Sequence, residues 1–350
     1  MKLDERYWDD CDQVLAQVAN IETLRNKKIL LTGATGMICS TVAELLFRLN
    51  DERGFDIQIY LAGRQEAACK ERFRSKNAKY TFVYYDAMQK EVPNVTVDYI
   101  IHGAGYGDPG AIVEDPVGII RTNVYGTERL LQLAKKNQAR LLFISSGEIY
   151  GNLIENKESY SEDDYGYIDI LNQRAVYPSA KRLAETLCIS YGNQYDVDTV
   201  IARSCHIYGP SIRENDSRAS AQFTRNAVAG KDIVMKSAGS QIRSYCYTLD
   251  CASALLAVLI NGDSGQAYNI SNRDSIISIR DLAAAIAQIA DVKVVFENPS
   301  DAEAQSYNLM SRSVLDASKL ESLGWKAVFD ICAGMRRTIT ILRGQSRRDT

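Results

Sequence analysis

Histidine is almost absent: only His102 and His206 occur in the 350 residues. A zinc site of Cys/His type therefore has almost no material to draw on, which excludes a metal mechanism. The eight cysteines, at 11, 39, 69, 188, 205, 246, 251 and 332, include no CxxC pair. With no signal peptide and no spanning apolar segment in view, they read as buried thiols of a cytoplasmic protein. Excess charge of either sign is missing too. A formal net charge of -3 gives no reason to expect nucleic acid or an anionic membrane as partner, and suits a small uncharged or mildly anionic ligand. Length is ample, enough to bury a large core as one large domain or two smaller ones.

What is present is organised around Lys28-Ile-Leu-Leu-Thr-Gly-Ala-Thr-Gly-Met-Ile-Cys-Ser-Thr41. A buried strand, Lys28 to Leu31, breaks into glycines, and apolar residues return at helical spacing from Val42 to Leu49. Gly33 lets the chain turn sharply, and Gly36 lets a pyrophosphate approach bare backbone. A helix starting near Met37 offers that anion unpaired N–H groups and a positive dipole end. This outlines a dinucleotide site in which Thr35, Met37 and Ile38 belong to the loop. Its third small position holds Cys39 in place of glycine or alanine. Cysteine is small and buries well, so a tight fit is expected there.

Ahead of the loop, Val14, Leu15, Val18, Ile21 and Leu24 recur at helical spacing and predict an amphipathic helix packed on the body or on a second subunit. After it, Asp56 to Leu61 reads as a second strand ending in Ala62-Gly63-Arg64. An acidic residue at that point would take the ribose hydroxyls of NAD, whereas Arg64 suits a 2′-phosphate, so the end of this strand leans toward NADP without excluding NAD. Arg64 stacked on adenine or facing solvent is the plain alternative. A third strand, Tyr80 to Tyr85, leads to Asp86 and Ala87, placed to meet the adenine amine. Tyr99-Ile-Ile-His-Gly-Ala-Gly105 is a fourth strand running into small residues, as a backbone passing beside a cofactor at Ala104 and Gly105 requires. Asn123 follows in a helix, either as a buried bridge between strands or as a helix-start polar residue.

Leu141 to Ser145 is a fifth strand ending in Ser146-Gly147-Glu148. Polar residues at the carboxyl end of a parallel strand point into the ligand crevice. Tyr177-Pro-Ser-Ala-Lys181 then opens another helix, with Pro178 well placed in its first turn. Tyrosine and lysine four apart share a helical face. An ammonium beside a phenol favours the phenolate and lowers its pKa toward neutrality, which predicts a general base.

With these motifs in order, the chain resembles the extended short-chain dehydrogenase/reductase family, the NAD(P)-dependent nucleotide-sugar epimerases and dehydratases. The resemblance runs from about Lys28 to Ile341. It rests on Thr32-Gly-Ala-Thr-Gly36, Asp86, His102-Gly-Ala-Gly105, Asn123, Ser146, Tyr177 with Lys181, Tyr208-Gly-Pro210, Arg243, Tyr268-Asn-Ile-Ser and the segment Leu315 to Trp325. It implies an α/β fold, a doubly wound parallel (Rossmann) sheet with a smaller C-terminal substrate-binding lobe. The implied divisions are a helical extension at 1–27, a dinucleotide domain at 28–202 and the lobe at 203–350, with a segment near 244–270 returning to the sheet. It also implies a homodimer built on the helices containing Val124 to Leu133 and Arg182 to Ser190. The implied substrate is a nucleotide sugar touched by Ser146, His206, Arg213 and Arg243, with Arg243 gripping the diphosphate. His206 stands where relatives commonly place an asparagine, and Gly147 where 4,6-dehydratases place an acid.

By the same resemblance Tyr177, supported by Lys181, takes the proton of the sugar 4-hydroxyl as hydride leaves carbon 4, and Ser146 steadies the same oxygen. Return of hydride to the other face gives 4-epimerisation, the expected reaction. Glu148 could serve as a second base for decarboxylation of a nucleotide-linked uronic acid or for dehydration, or could be a buried carboxylate paired with a basic neighbour. Reduction of a 4-keto sugar by NADPH, and a cofactor-sensing regulator without activity, are the remaining alternatives.

Overall fold

The computed structural model describes residues 5–74, 78–105, 112, 114–152, 157–214, 216–298 and 311–346. Thirteen strands occur among them: β1 (Lys28–Thr32), β2 (Gln58–Gly63), β3 (Thr81–Tyr84), β4 (Tyr99–His102), β5 (Arg140–Ser146), β6 (Thr199–Ser204), β7 (His206–Tyr208), β8 (Ile233–Met235), β9 (Ile242–Tyr247), β10 (Ala267–Ile270), β11 (Ile276–Ser278), β12 (Val294–Phe296) and β13 (Arg312–Ser313). Seven of them form one sheet in the order β10-β6-β5-β4-β1-β2-β3, with every neighbouring pair parallel. This is the doubly wound α/β sheet expected. Its strands read as unbroken apolar runs because helices cover both faces.

Period-two alternation sorts the strand residues between two cores. Ile29, Leu31, Ile101 and Leu142 face the helices Met37–Arg53 and Thr248–Asn261. Leu30, Ile100, Leu141 and Phe143 face the helices Pro116–Asn137 and Val176–Tyr195. In Thr248–Asn261 every residue from Thr248 to Leu259 is buried. A helix that is apolar all round must be covered on its outer side as well. That cover is supplied by the N-terminal helix Glu5–Leu15, whose Tyr7, Cys11, Val14 and Leu15 lie in the same core.

The apolar spacing from Val14 to Leu24 does not make one continuous helix. The helix ends at Leu15, and Ile21–Leu24 forms a separate short turn. Between them Asn20 adopts a left-handed backbone (φ 56), a conformation that asparagine tolerates and that ends α-helical hydrogen bonding.

After β6 the chain leaves the main sheet. β7 pairs with β9, which also pairs with β11 and β13, while β8 and β12 form a small parallel pair. β10 then returns to lie beside β6 at the sheet edge. Asp250, inside the buried helix, accepts from the backbone N–H groups of Val328 and Phe329 at 2.7 and 3.0 Å, tying the C-terminal segment to the body. Among the described residues no helix is long and apolar enough to cross a membrane.

Candidate active site

Strand order reverses between β1 and β4, so their carboxyl ends open a crevice in which a ligand can lie. Gly33, with φ 69, makes the turn out of β1, and a Cβ on it would stand 2.7 Å from the Gly103 carbonyl oxygen. Only glycine meets both demands. Gly36 caps the helix that begins at Met37, whose first N–H groups have no acceptor within the helix. Thr35, Met37 and Ile38 are half-buried around this opening. Cys39 is 3% exposed, and a Cβ on Gly103 would come within 2.2 Å of its Sγ. The thiol fills the space that a glycine here would leave, and β4 answers with a glycine of its own. Burial pushes that thiol up to about 12, so it is packing material and no nucleophile.

Beyond β4, the Thr32 hydroxyl accepts from the Ala104 N–H at 3.2 Å and lies 2.8 Å from His102 Nδ1. Burial pushes the His102 imidazole down to about 3, so it stays neutral. The Thr32 hydroxyl thus links the His102 ring to the Ala104 N–H, and this chain of bonds ties down the turn at Gly103 to Gly105. A Cβ on Gly105 would stand 3.1 Å from Asn123 Oδ1 and 3.7 Å from Lys181 Nζ. The buried Asn123 amide donates to the Ile119 carbonyl at 2.9 Å, and its Oδ1 has no hydrogen-bond partner among the described residues. A side-chain-free strip next to an unpartnered acceptor and an ammonium fits the hydroxyls and amide of a bound dinucleotide. At the far end, Gly63 of β2 lies beside Tyr84 of β3, and the exposed Arg64 follows the first of these strand ends. The Asp86 carboxylate accepts from the Met88 N–H at 2.9 Å, and Ala87 packs under Gly126.

Ser146 ends β5 and caps the short turn Gly147–Tyr150, accepting from the Glu148 N–H at 3.2 Å. Its hydroxyl is also hydrogen-bonded to the Tyr177 phenol, which comes from the first turn of the helix Val176–Tyr195. Lys181 lies one turn further on, 6% exposed, with Nζ donating to the Ile144 carbonyl at 2.8 Å. Its Nζ is 5.8 Å from the centre of the Tyr177 ring. Burial lowers this ammonium to about 8, against the opposing pull of Glu185.

The phenol differs from the sequence expectation. Burial pushes Tyr177 up and the charge of Glu148 pushes it further, while Ser146 and Arg218 pull it back. Lys181 aims its charge at the Ile144 carbonyl, so four-residue spacing brings the two side chains to one face without making a phenolate by itself. Further positive charge at the phenol is what ionisation requires.

Glu148 is accessible on its surface yet surrounded by enough protein that lost hydration raises its pKa. Two guanidinium groups, Arg174 and Arg243, oppose that rise. Arg243 lies on β9, is 4% exposed, and donates to the Ile242 carbonyl at 2.9 Å. His206 opens β7, directly across from Tyr245 of β9, with ring centres 5.5 Å apart. Burial, then Arg243 and Arg218, hold its imidazole down to about 3.

Ser146, Glu148, Tyr177, His206 and Arg243 thus share one electrostatic neighbourhood, with Lys181 behind Tyr177. Arg213 is exposed, and its carbonyl accepts from Arg225 at 3.1 Å. Two arginines take places that sequence reasoning missed. Arg174 had a usable signal, being three residues before Tyr177 and hence on the same side of the chain entering the helix. Arg218 had none. It is brought in by the turn before the helix Ala219–Val228, where Asp216 holds its guanidinium at 2.5 Å.

The model of the NAD dependent epimerase/dehydratase family matches residues 29–271. UDP-glucuronic acid decarboxylase 1 of Xenopus tropicalis is 27% identical over 321 residues, 91% of this chain and 72% of that protein. UDP-glucuronic acid decarboxylase 6 of Arabidopsis thaliana is 28% identical over 314 residues, 89% of this chain and 87% of that protein. Among solved structures, UDP-glucuronic acid 4-epimerase from Bacillus cereus in complex with UDP-glucuronic acid and NAD superposes with a TM-score of 0.73 at 22% identity, covering 91% of this chain and 99% of that one. That likeness establishes the shared fold.

Proposed function

The chain belongs to the NAD dependent epimerase/dehydratase family, and within it we propose that it removes carbon dioxide from UDP-glucuronic acid. The observation that carries this reading is Glu148 held beside Arg174 and Arg243 next to the Ser146–Tyr177 pair. Two guanidinium groups give this end of the crevice a positive character suited to an acidic sugar, and a uronic acid brings a carboxylate that a neutral hexose does not. The decarboxylases named above are similar along most of this chain. This reading displaces 4-epimerisation, for which no group in the site speaks in particular.

A nicotinamide dinucleotide, which the Gly33–Gly36 loop, Asn123 and Lys181 would hold, supplies acceptance and return of hydride at sugar carbon 4. Tyr177 takes the proton of the 4-hydroxyl, and Ser146 holds the oxygen through its change from hydroxyl to ketone. The ketone stands β to the sugar carboxylate, so the bond to that carboxylate breaks with its electron pair moving onto carbon 5 and the ketone oxygen, releasing carbon dioxide. Glu148, whose pKa burial raises, takes up a proton from water and delivers it to carbon 5. Tyr177 then gives its proton back as carbon 4 is reduced, and the product is a UDP-pentose. Arg243 and Arg218 grip the anionic substrate, and residues 203–350 supply its lobe.

The purified protein, incubated with UDP-glucuronic acid and NAD, should release carbon dioxide and form a UDP-pentose visible by mass spectrometry. UDP-galacturonic acid without gas release would restore 4-epimerisation. An unchanged substrate would reject both.

A further inference from the structure

Glu185 is buried and takes no part in the proposed proton transfers. On the helix Val176–Tyr195, Tyr177, Lys181 and Glu185 follow one another at four-residue intervals and so form one stripe. That stripe meets the end of β5 residue by residue. Tyr177 bonds the Ser146 hydroxyl, Lys181 Nζ donates to the Ile144 carbonyl at 2.8 Å, and Glu185 Oε1 accepts from the Ser145 hydroxyl. Consecutive residues of the strand are thereby fastened to successive turns of the helix, the last of them at the reacting oxygen.

A carboxylate in such a place needs a counter-charge. Arg203, which lies beside Ser145 across β6 and β5, supplies it: Nη2 donates to Oε2 at 2.8 Å, and Nε reaches both carboxylate oxygens at 3.2 Å. Arg203 Nη1 donates in turn to the Tyr150 hydroxyl at 3.0 Å, and that hydroxyl donates to Asn269 Oδ1 at 2.6 Å. These bonds hold the carboxylate in one orientation between strand and helix.

Lys181 is the neighbour that gains from it. Its buried ammonium bonds a neutral carbonyl and lies 4.7 Å from the centre of the Phe143 ring. Cys39 from the helix Met37–Arg53, His102 from β4, and Cys188 and Tyr177 from its own helix also surround it, and burial keeps all four uncharged at neutral pH. Against the burial that disfavours the ammonium, Glu185 acts as the opposing charge. We propose that Glu185 is a positioning residue for the reaction: its charge holds Lys181 as a cation behind Tyr177, and its bond to Ser145 fixes the strand end that presents Ser146. The inference rests on the proposed roles of Tyr177, Lys181 and Ser146, and adds the group that maintains them.

Two variants separate charge from bond. Glu185→Gln keeps an acceptor for Ser145 and loses the charge, whereas Ser145→Ala keeps the charge and loses the bond. Protonation of Lys181 is read in the NAD-loaded protein by carbon-13 NMR of labelled lysine side chains, its signal being identified by loss in Lys181→Met. In Glu185→Gln the Lys181 midpoint should move to lower pH, because the charge that favoured the ammonium is gone. The alkaline limit of single-turnover oxidation of UDP-glucuronic acid should move with it. Ser145→Ala should leave the midpoint in place and slow oxidation by about ten- to a hundredfold at every pH, with affinity for UDP-glucuronic acid kept. A midpoint that stays in place or rises in Glu185→Gln, with both variants merely less stable in urea, would overturn the inference. Wild-type oxidation by Ser145→Ala would overturn the part assigned to the strand end. Should Glu185→Gln fail to fold because Arg203 is left uncompensated, Glu185→Gln/Arg203→Met removes both charges, and the same movement of the Lys181 midpoint decides. Failure of the wild type to act on UDP-glucuronic acid would strike the proposed reaction, while the Lys181 midpoints would still decide the role of Glu185.

Discussion

Replacing Glu148 by glutamine removes one charge and one proton carrier while keeping the side chain's shape, and the site's electrostatics predict two separable effects. The carboxylate pushes the Tyr177 phenol up. Removing that charge stabilises the phenolate, so Tyr177 ionises more readily and the rising limb of the oxidation step should move to lower pH. The second effect concerns carbon 5. Without a carboxyl to deliver its proton, the later steps should slow by about two to four orders of magnitude.

Glu148→Gln should therefore oxidise UDP-glucuronic acid in a single turnover and then stall, with nicotinamide absorbance rising and the reduced form persisting. In heavy water the unmodified protein should place deuterium at carbon 5 of the UDP-pentose. Rapid-mixing absorbance across the pH range, followed by mass spectrometry of quenched samples, reads all three quantities. Full turnover by the variant would refute Glu148 as the proton carrier. An oxidation limb that stays in place, or moves to higher pH, would refute the placing of its charge against Tyr177.

Tyr177→Phe removes the ionisable oxygen beside Ser146 and should lower turnover by about two to four orders of magnitude while NAD still binds, as steady-state rates and cofactor titration would read. Gly103→Ala pushes a methyl group into Cys39 Sγ and should destabilise the protein by about 1–3 kcal/mol in urea unfolding. Adding Cys39→Gly should restore much of the loss, because the two positions share one space. Arg64→Ala should narrow any preference for the 2′-phosphorylated dinucleotide in equilibrium titrations, and a preference for NAD unchanged by the substitution would make Arg64 a bystander. Val117, Ile120, Tyr125 and Leu183 expose apolar surface on the helices Pro116–Asn137 and Val176–Tyr195, so light scattering should report a dimer, and a mass near 39.0 kDa would refute it.

The sheet, the glycine loop and the shared helical face of Tyr177 and Lys181 were legible in the sequence because each depends on local spacing. A strand buried on both faces must be an apolar run. A turn with positive φ that touches the next strand must be glycine, as at Gly33. Two residues four apart on a helix must share a face. The N-terminal helix was misplaced by the same reasoning, since apolar spacing from Val14 to Leu24 says nothing of the left-handed turn at Asn20 that divides it.

What the sequence by itself determined is therefore the architecture: a glycine loop after β1, a serine at the end of β5, and a tyrosine and lysine on one helical face. Only the tertiary structure decided what surrounds them. Arg218 reaches the site from a segment far along the chain, and nothing local marks it. The phenol's pKa follows burial and the sum of Glu148 and Arg218, not the spacing of Tyr177 to Lys181. Charge and desolvation act through space, between groups whose distances the order of residues does not specify.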